Sequence, residues 1–323
     1  MKRYRGWHKA YKDRALKFFL EIWAILFSKS YVKYVYKKTY GRRLNLKKPE
    51  DYNEKIQWLK IYSDISLWTD LADKYRVREY VEGRGLGDIL VKLYGVWKDA
   101  KNIDFDILPD KFVLKTNHGF GKIIIVNDKK ALDKDYVVRL LNSWVKERYG
   151  LLSFEPHYWN IQRRIIAEEL LVDDSMEGHS NSLIDYKLFC INGEPQVIKV
   201  MYNREILRDG EDLKTNARTF KTFTVDLDWK LRPDLVPANF SKDWTLTLPK
   251  PKCLSEMISV ARILSKPFPQ VRVDLYEVKN KVYFGELTFT PGGKYNFTPE
   301  YLKYLGNRMD LANVKLRKRW FIV

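Results

Sequence analysis

The sequence predicts an α+β body of antiparallel strands and flanking helices, preceded by a basic helical extension. Three observations predict it. Apolar residues recur at helical spacing over 49–107, 133–149 and 252–265. From Lys111 onward, short β-branched and aromatic runs alternate with turn residues, most plainly at Lys279-Asn280 between 271–277 and 281–288. The charge is also uneven. Of a formal +18 over 323 residues, 1–48 carry +13 and 308–323 carry +4, which leaves +1 on 49–307.

That division bounds the function. A near-neutral body argues against a nucleic-acid groove built into it, whereas basic ends favour contact with an anionic surface. A hydrophobic fraction of 45% supports a real core and excludes a disordered chain. The length allows one large domain or two to three small ones. Cys190 and Cys253 form neither a disulfide framework nor a zinc site.

The first element is a helix over 7–27. Arg14, Lys17, Glu21 and Ser28 form its narrow polar stripe, and Trp7, Phe18, Phe19 and Trp23 belong to its apolar remainder. The run from Phe18 to Phe27 is interrupted by Glu21. It falls short of the roughly 20 apolar residues that cross a bilayer. It also lacks the small-residue cleavage site of a signal peptide. Two readings stay open: the helix packs on the body, or it lies in a membrane interface with its cations on lipid phosphates. Tyr31 to Lys38 interleaves aromatics with lysines, which also suits stacked bases. The body offers no recognised nucleic-acid module, which argues against that partner.

The body follows in order. Asn53 to Ile61 reads as a helix, and 69–82 as a second one with Thr69 as N-cap and Gly83, Gly85 and Gly87 closing it. Ile89 to Val96 reads as a strand. Phe112 to Lys115 and Ile123 to Val126 form a hairpin around the polar loop from Thr116 to Lys122. A helix over 133–149 turns Val137, Leu140, Leu141, Trp144 and Val145 inward. Strands near 164–171, 184–192, 195–202 and 218–225 lead to the helix over 252–265 and the final strand pair.

Four features carry chemistry. In Lys115-Thr116-Asn117-His118-Gly119-Phe120-Gly121-Lys122, glycines let backbone N–H groups approach phosphate oxygens, with a lysine at each end. The loop joins two strands, so it is neither a Walker loop nor a dinucleotide turn. The strand ending in Glu168-Glu169-Leu170-Leu171 could offer backbone groups and a carboxylate to an adenine edge. Alternation puts Asp185, Lys187 and Phe189 on one face, where a lysine needs an anionic partner. Alternation also puts Arg272 with Asp274, and Glu286 with Thr288, on faces that a hairpin brings together. Two carboxylates and a hydroxyl suit Mg²⁺, which takes oxygen ligands and keeps room for phosphates. Arg272 beside them suits a transferring phosphoryl group. An ion pair of Arg272 with either acid is the plain structural alternative.

In this order the features resemble the ATP-grasp superfamily, and within it the TupA-like branch tied to bacterial capsule and teichuronopeptide synthesis. The resemblance spans roughly 45–306. It is carried by Asn53 to Leu59, Ala72-Asp73-Lys74-Tyr75, Leu93 to Trp97, Leu108 to Lys115, Asn117-His118-Gly119, Asp185-Tyr186-Lys187, Ile191 to Pro195, Val271 to Tyr276 and Tyr283 to Phe289. It implies two α+β lobes enclosing ATP, and divides the chain into 1–48, 49–110, 111–172, 173–306 and a basic tail, 307–323. By position, Lys115 and Lys187 would contact the ATP phosphates. The loop of His118, Gly119, Phe120, Gly121 and Lys122 would cover them. Glu168, Glu169, Leu170 and Leu171 would line the adenine pocket. Asp274, Glu286 and Thr288 would hold Mg²⁺, with Thr288 where the superfamily often has Asn. Arg272, Lys187 and Arg204 would serve catalysis. Phe120 stands where the branch usually has a smaller residue. Asn203-Arg204 and Pro291-Gly292-Gly293-Lys294 also depart from its pattern, in stretches where an acceptor could bind.

The resemblance implies an ATP- and Mg²⁺-dependent ligase that joins a carboxylate to an amine on a cell-surface glycan or its lipid-linked precursor, in the cytoplasm at the inner face of the membrane. The alternatives are a glycosyltransferase, a sugar kinase using the same ATP cleft, and a non-catalytic membrane adaptor. The glycosyltransferase hint would be Asp226-Leu227-Asp228, but chance alone supplies such triplets in this composition. His8, His118, His157 and His179 show no metal spacing, and no Ser/His or Cys/His set appears.

Overall fold

The computed structural model describes residues 14–176, 178–204, 220–241, 244–291 and 297–318. Helices α1 (Arg14–Leu26) and α2 (Ser28–Tyr40) form the extension, followed by α3 (Tyr52–Tyr62), α4 (Ser66–Ala72) and α5 (Val77–Gly83). Next come β1 (Leu93–Trp97), β2 (Phe112–Thr116), β3 (Ile123–Val126), α6 (Lys134–Val145) and β4 (Ile165–Glu169). The remainder is β5 (Asp185–Ile191), β6 (Glu194–Tyr202), β7 (Lys221–Val225), α7 (Ala238–Ser241), α8 (Leu254–Ser265), β8 (Gln270–Val278), β9 (Lys281–Thr288) and α9 (Pro299–Arg308).

The strands form two antiparallel sheets, ordered β1-β4-β2-β3 and β7-β6-β5-β8-β9. Helix α6 covers the four-stranded sheet and buries Val137, Leu141 and Trp144 against Leu114, Ile124 and Ala167. Its N-cap Asp133 accepts the Tyr136 N–H at 2.9 Å. Helix α8 packs on β5, β6 and β8 over the larger core. Lys279 and Asn280 have φ of 51° and 61°, the left-handed pair that a tight hairpin needs.

Three expectations change. The 69–82 helix is two helices, because Asp73 leaves helical geometry at ψ 112°. Its carboxylate instead accepts the N–H groups of Tyr75 at 2.8 Å and Arg76 at 3.3 Å, so Thr69 lies inside α4 rather than capping it. The strand expected from Ile89 begins at Leu93, after a 3₁₀ turn over Gly87–Ile89. Within the expected 7–27 helix, the residues before Arg14 lie outside the described ones, and a second helix, α2, follows directly. Helix α2 packs on the body through Tyr31, Val32 and Tyr36, in a cluster with Ile61 of α3 and Phe154. No helix among the described residues is long and apolar enough to cross a membrane.

Candidate active site

Strand register builds the floor of the site. Lys199 on β6 lies opposite Lys187 on β5, Lys187 opposite Asp274 on β8, and Asp274 opposite Glu286 on β9. Directly paired residues share a sheet face, so the four side chains make one row, two cations and then two carboxylates. Arg272 and Thr288 form the adjacent pair. A bulge lets this happen: Asp274 pairs with Glu286 but Leu275 pairs with Phe284, which leaves Gly285 as the extra residue. A Cβ at Gly285 would stand 2.9 Å from the Asp274 carbonyl oxygen, so the bulge requires glycine.

The charges are tightly joined. Arg272 grips Asp274 through two contacts of 2.6 Å and reaches Glu286 at 3.1 Å and the Thr288 hydroxyl at 3.0 Å. Thr288 in turn donates to Glu286 at 2.9 Å. Lys187 meets Asp274 at 2.5 Å and Asp185 at 3.1 Å, and Arg204 also pairs with Asp185. Burial alone would raise the Asp274 carboxyl, but Arg272 and Lys187 outweigh it and hold the group below the usual carboxylate range. Burial, with Arg272 and Lys187 repelling it, brings the Lys199 ammonium down to about 8.

The four-stranded sheet faces this row with Lys115, which meets Glu168 at 2.5 Å. The loop after Lys115 is pinned from below. Asn117 is fully buried; its side chain donates to the Gln162 carbonyl at 2.9 Å and accepts the Arg164 N–H at 2.6 Å. Gly119 has φ +77°, and a Cβ there would stand 2.9 Å from the Tyr149 ring. Phe120 at the loop tip is 68% exposed.

Two adjoining cavities fill the space between the sheets. The larger, about 950 Å³, is lined by Lys115, Glu168 to Leu171, Tyr276 and Phe284. The smaller, about 550 Å³, is lined by the glycine loop, the charged row, and Asn53, Gln57 and Lys60 of α3. Lys74, Lys115, Arg204 and Tyr276 border both. The larger is of a size that suits a nucleotide.

The donor set fits Mg²⁺ bound together with a triphosphate. It is all oxygen, with two carboxylates and a hydroxyl, and cations stand around it. Among the described residues no group of three or more His, Cys, Asp or Glu could hold a metal. Two carboxylates would leave ligand positions for phosphate oxygens and water, which Mg²⁺ retains.

The structure brings most of the expected residues to these cavities. Lys115, Glu168, Glu169, Leu170 and Leu171 line the larger, and Gly119, Phe120, Gly121, Lys122, Lys187, Arg272, Asp274, Glu286 and Thr288 line the smaller. His118 lines neither. Its ring is turned under the loop, with Nε2 3.3 Å from the Glu147 carbonyl, and burial brings it down to about 4, so it is neutral. Asp226 and Asp228 also line neither cavity; the Asp226 carboxylate closes an exposed turn by accepting the N–H groups of Asp228 and Lys230. Of the acceptor stretch, Gly292 to Lys294 lie outside the described residues.

Three residues escaped the sequence reading. Lys74 donates to the Gly119 carbonyl at 2.7 Å and lies 3.9 Å from Glu286, so it ties the loop to β9. Its stretch carried the family resemblance, but nothing local pointed to a role. Lys199 emerges only from the β5–β6 register. Lys60 is buried, donates to Gln57 at 3.0 Å and to the Ser153 carbonyl at 2.9 Å, and burial brings it down to about 8 against the pull of Glu155.

Comparison with curated proteins finds no match. Among solved structures, D-alanine–D-alanine ligase from Bacillus anthracis aligns with a TM-score of 0.43 and 13% identity over 72% of this chain and 60% of its own. L-Amino acid ligase from Bacillus licheniformis aligns at 0.44 and 11% identity over 75% and 49%. D-Alanine–D-alanine ligase from Helicobacter pylori aligns at 0.41 and 13% over 80% and 67%. The chain thus spans 60% of the first and about half of the second. A family model described as TupA-like ATP-grasp matches residues 54–310, which is most of the chain and contains both sheets and the charged row. The chain belongs to the TupA-like ATP-grasp family.

Proposed function

We propose that the protein is an ATP- and Mg²⁺-dependent ligase that joins a carboxylate to an amine during synthesis or modification of a bacterial cell-surface polysaccharide. The observation that carries the chemical part is the cross-strand row of Lys199, Lys187, Asp274 and Glu286 with Arg272 beside it, facing Lys115 and the glycine loop. The glycan part rests on the family resemblance alone.

In this reading Lys115 and Lys187 bind phosphate oxygens, and the loop from Gly119 to Gly121 covers them. Glu168 to Leu171 line the base pocket. Asp274, Glu286 and Thr288 would hold Mg²⁺, which when bound would neutralise phosphate charge so that an anionic carboxylate could approach. Arg272 steadies the γ-phosphoryl group. The substrate carboxylate takes that group as ADP leaves. The amine then displaces phosphate from the acyl carbon and loses one proton. Lys199 at the far end of the row, and Arg204 where the two cavities meet, suit the anionic group of the acceptor substrate.

The test is a nucleotide-release screen that crosses amino acids against uronic-acid and lipid-linked acceptors. ADP and phosphate should appear only when a carboxylate and an amine are both present. A stable phosphorylated acceptor formed without an amine would make the protein a kinase. Stabilisation by a UDP-sugar in preference to ATP would make it a glycosyltransferase.

A further inference from the structure

Helix α1 is built inside out. Phe18, Ile22 and Leu26 recur at i, i+4 and i+8 on its outer side, with Phe19 beside them and Phe27 just after its end. Phe18, Phe19 and Phe27 are 65%, 61% and 65% exposed. Glu21 is the single carboxylate within 14–48, and it points inward at 9% exposure, 3.8 Å from Arg148 and 3.9 Å from Lys17. Leu20, Trp23 and Ala24 pack inward, while the side that carries Phe18, Ile22 and Leu26 faces out.

The helix is also held firmly from beneath. Trp23 donates its indole N–H to Ser30 at 2.8 Å and packs on the rings of Tyr31 and Tyr34 at 5.5 and 5.0 Å. Tyr31 donates its hydroxyl to the Leu152 carbonyl at 2.8 Å, which ties the pair of helices to the body. The exposed phenylalanines thus stand on a fixed platform. Lys17 on α1 and Lys29, Lys33, Lys37 and Lys38 on α2 are exposed, and 14–48 hold ten Lys/Arg against Glu21.

A second copy would set that positive charge against itself. An anionic bilayer complements both parts, because aromatic side chains enter the acyl boundary while lysines meet lipid phosphates. We propose that the outer face of α1 is a docking surface for an anionic lipid bilayer. The cavity beside the charged row is built from the same helical layer: Tyr40 at the end of α2 lines it with Asn53, Gln57 and Lys60 of α3. Docking through α1 would therefore hold that cavity near a lipid-borne acceptor. Only this last consequence rests on the ligase reading, and the binding test needs no nucleotide.

The test is co-flotation of the full chain with phosphatidylglycerol–phosphatidylcholine vesicles and with pure phosphatidylcholine vesicles. Binding is expected to the anionic vesicles, weakening as salt is raised. Phe18→Glu/Phe19→Glu should weaken it at least about tenfold. Lys33→Glu/Lys37→Glu should weaken it by about fivefold or more per position and flatten the salt dependence. An unchanged melting temperature would show that the variants fold. Failure of the parent chain to float with anionic vesicles, or equal flotation of the phenylalanine variant, would overturn the proposal. A concentration-dependent dimer lost in Phe18→Glu/Phe19→Glu, without vesicle binding by the parent, would assign the face to a second copy and also overturn it.

Discussion

Lys115 meets Glu168 at 2.5 Å on the four-stranded sheet, and Lys187 meets Asp274 at 2.5 Å on the five-stranded sheet. The first pair stands at the wall of the larger cavity, with the Lys115 side chain 19% exposed and Arg78 3.9 Å from Glu168. The second lies deeper, on the floor of the smaller cavity: the Asp274 side chain is 2% exposed, and Arg272 grips it as well. Equal distances thus conceal different constraints. A ligand can part the first pair more easily, because Arg78 stays 3.9 Å from Glu168 as a second cation. Parting the second strands a buried charge unless another cation takes its place.

The largest expected effect is at Asp274. Asp274→Asn removes the carboxylate shared by Arg272 and Lys187, leaving them only Glu286 and Asp185, and should cost about 3 kcal/mol in urea unfolding as well as all turnover. Asp274→Asn/Lys187→Met should recover part of that stability and none of the activity. If Asp274→Asn is as stable as the parent chain, the contrast between the two pairs fails.

Acid probes the comparison from another side. Asp274 is held low, so the first loss of stability in acid should come from the buried rings rather than from the charged row. Burial brings His118 down to about 4 and His157 to about 3. The unfolded chain, with an ordinary histidine near 6.5, therefore takes up protons first, and stability falls as pH drops from about 6.5 toward 4. Each ring is worth on the order of 3 kcal/mol across that window. His157→Gln should remove part of the slope in pH-dependent unfolding. A profile flat down to about pH 4 would place the acid sensitivity in the carboxylates instead.

The less buried pair gives a smaller effect on the fold. Lys115→Met should cost about 1 kcal/mol or less in stability, yet raise the KM for ATP roughly tenfold or more. A stability loss like that of Asp274→Asn would erase the distinction. Thr288→Asn should be the mildest. Its stability should stay within about 0.5 kcal/mol, while the Mg²⁺ concentration needed for half-maximal turnover falls.

Much of the charged row was legible because strands alternate. Arg272 with Asp274, and Glu286 with Thr288, follow from period two, and Lys279-Asn280 marks the turn that joins their strands. What alternation cannot supply is register across strands distant in the chain, and so Lys199 came into view only through its pairing with Lys187. The break at Asp73 was hidden because apolar spacing continues through it, while one carboxylate bonding two N–H groups redirects the chain. The same break sets Lys74 against the glycine loop. His118 looked like a loop ligand by its position, but local sequence does not reveal on which side of a loop a ring will lie. For helix α1 the apolar residues cover most of the circumference, so the sequence alone leaves open which of them pack inward; Leu20, Trp23 and Ala24 do so against α2 and the body.

The central claim is that two carboxylates and a ring of cations form a site for a metal-bound triphosphate. Titration calorimetry tests it most directly, with MgATP, ATP alone and Mg²⁺ alone added to the parent chain and to Asp274→Asn. MgATP should give a clear binding heat and Mg²⁺ alone a weak one, and the MgATP heat should be lost in the variant. No MgATP binding to the folded parent chain, or unchanged binding to Asp274→Asn, would contradict it.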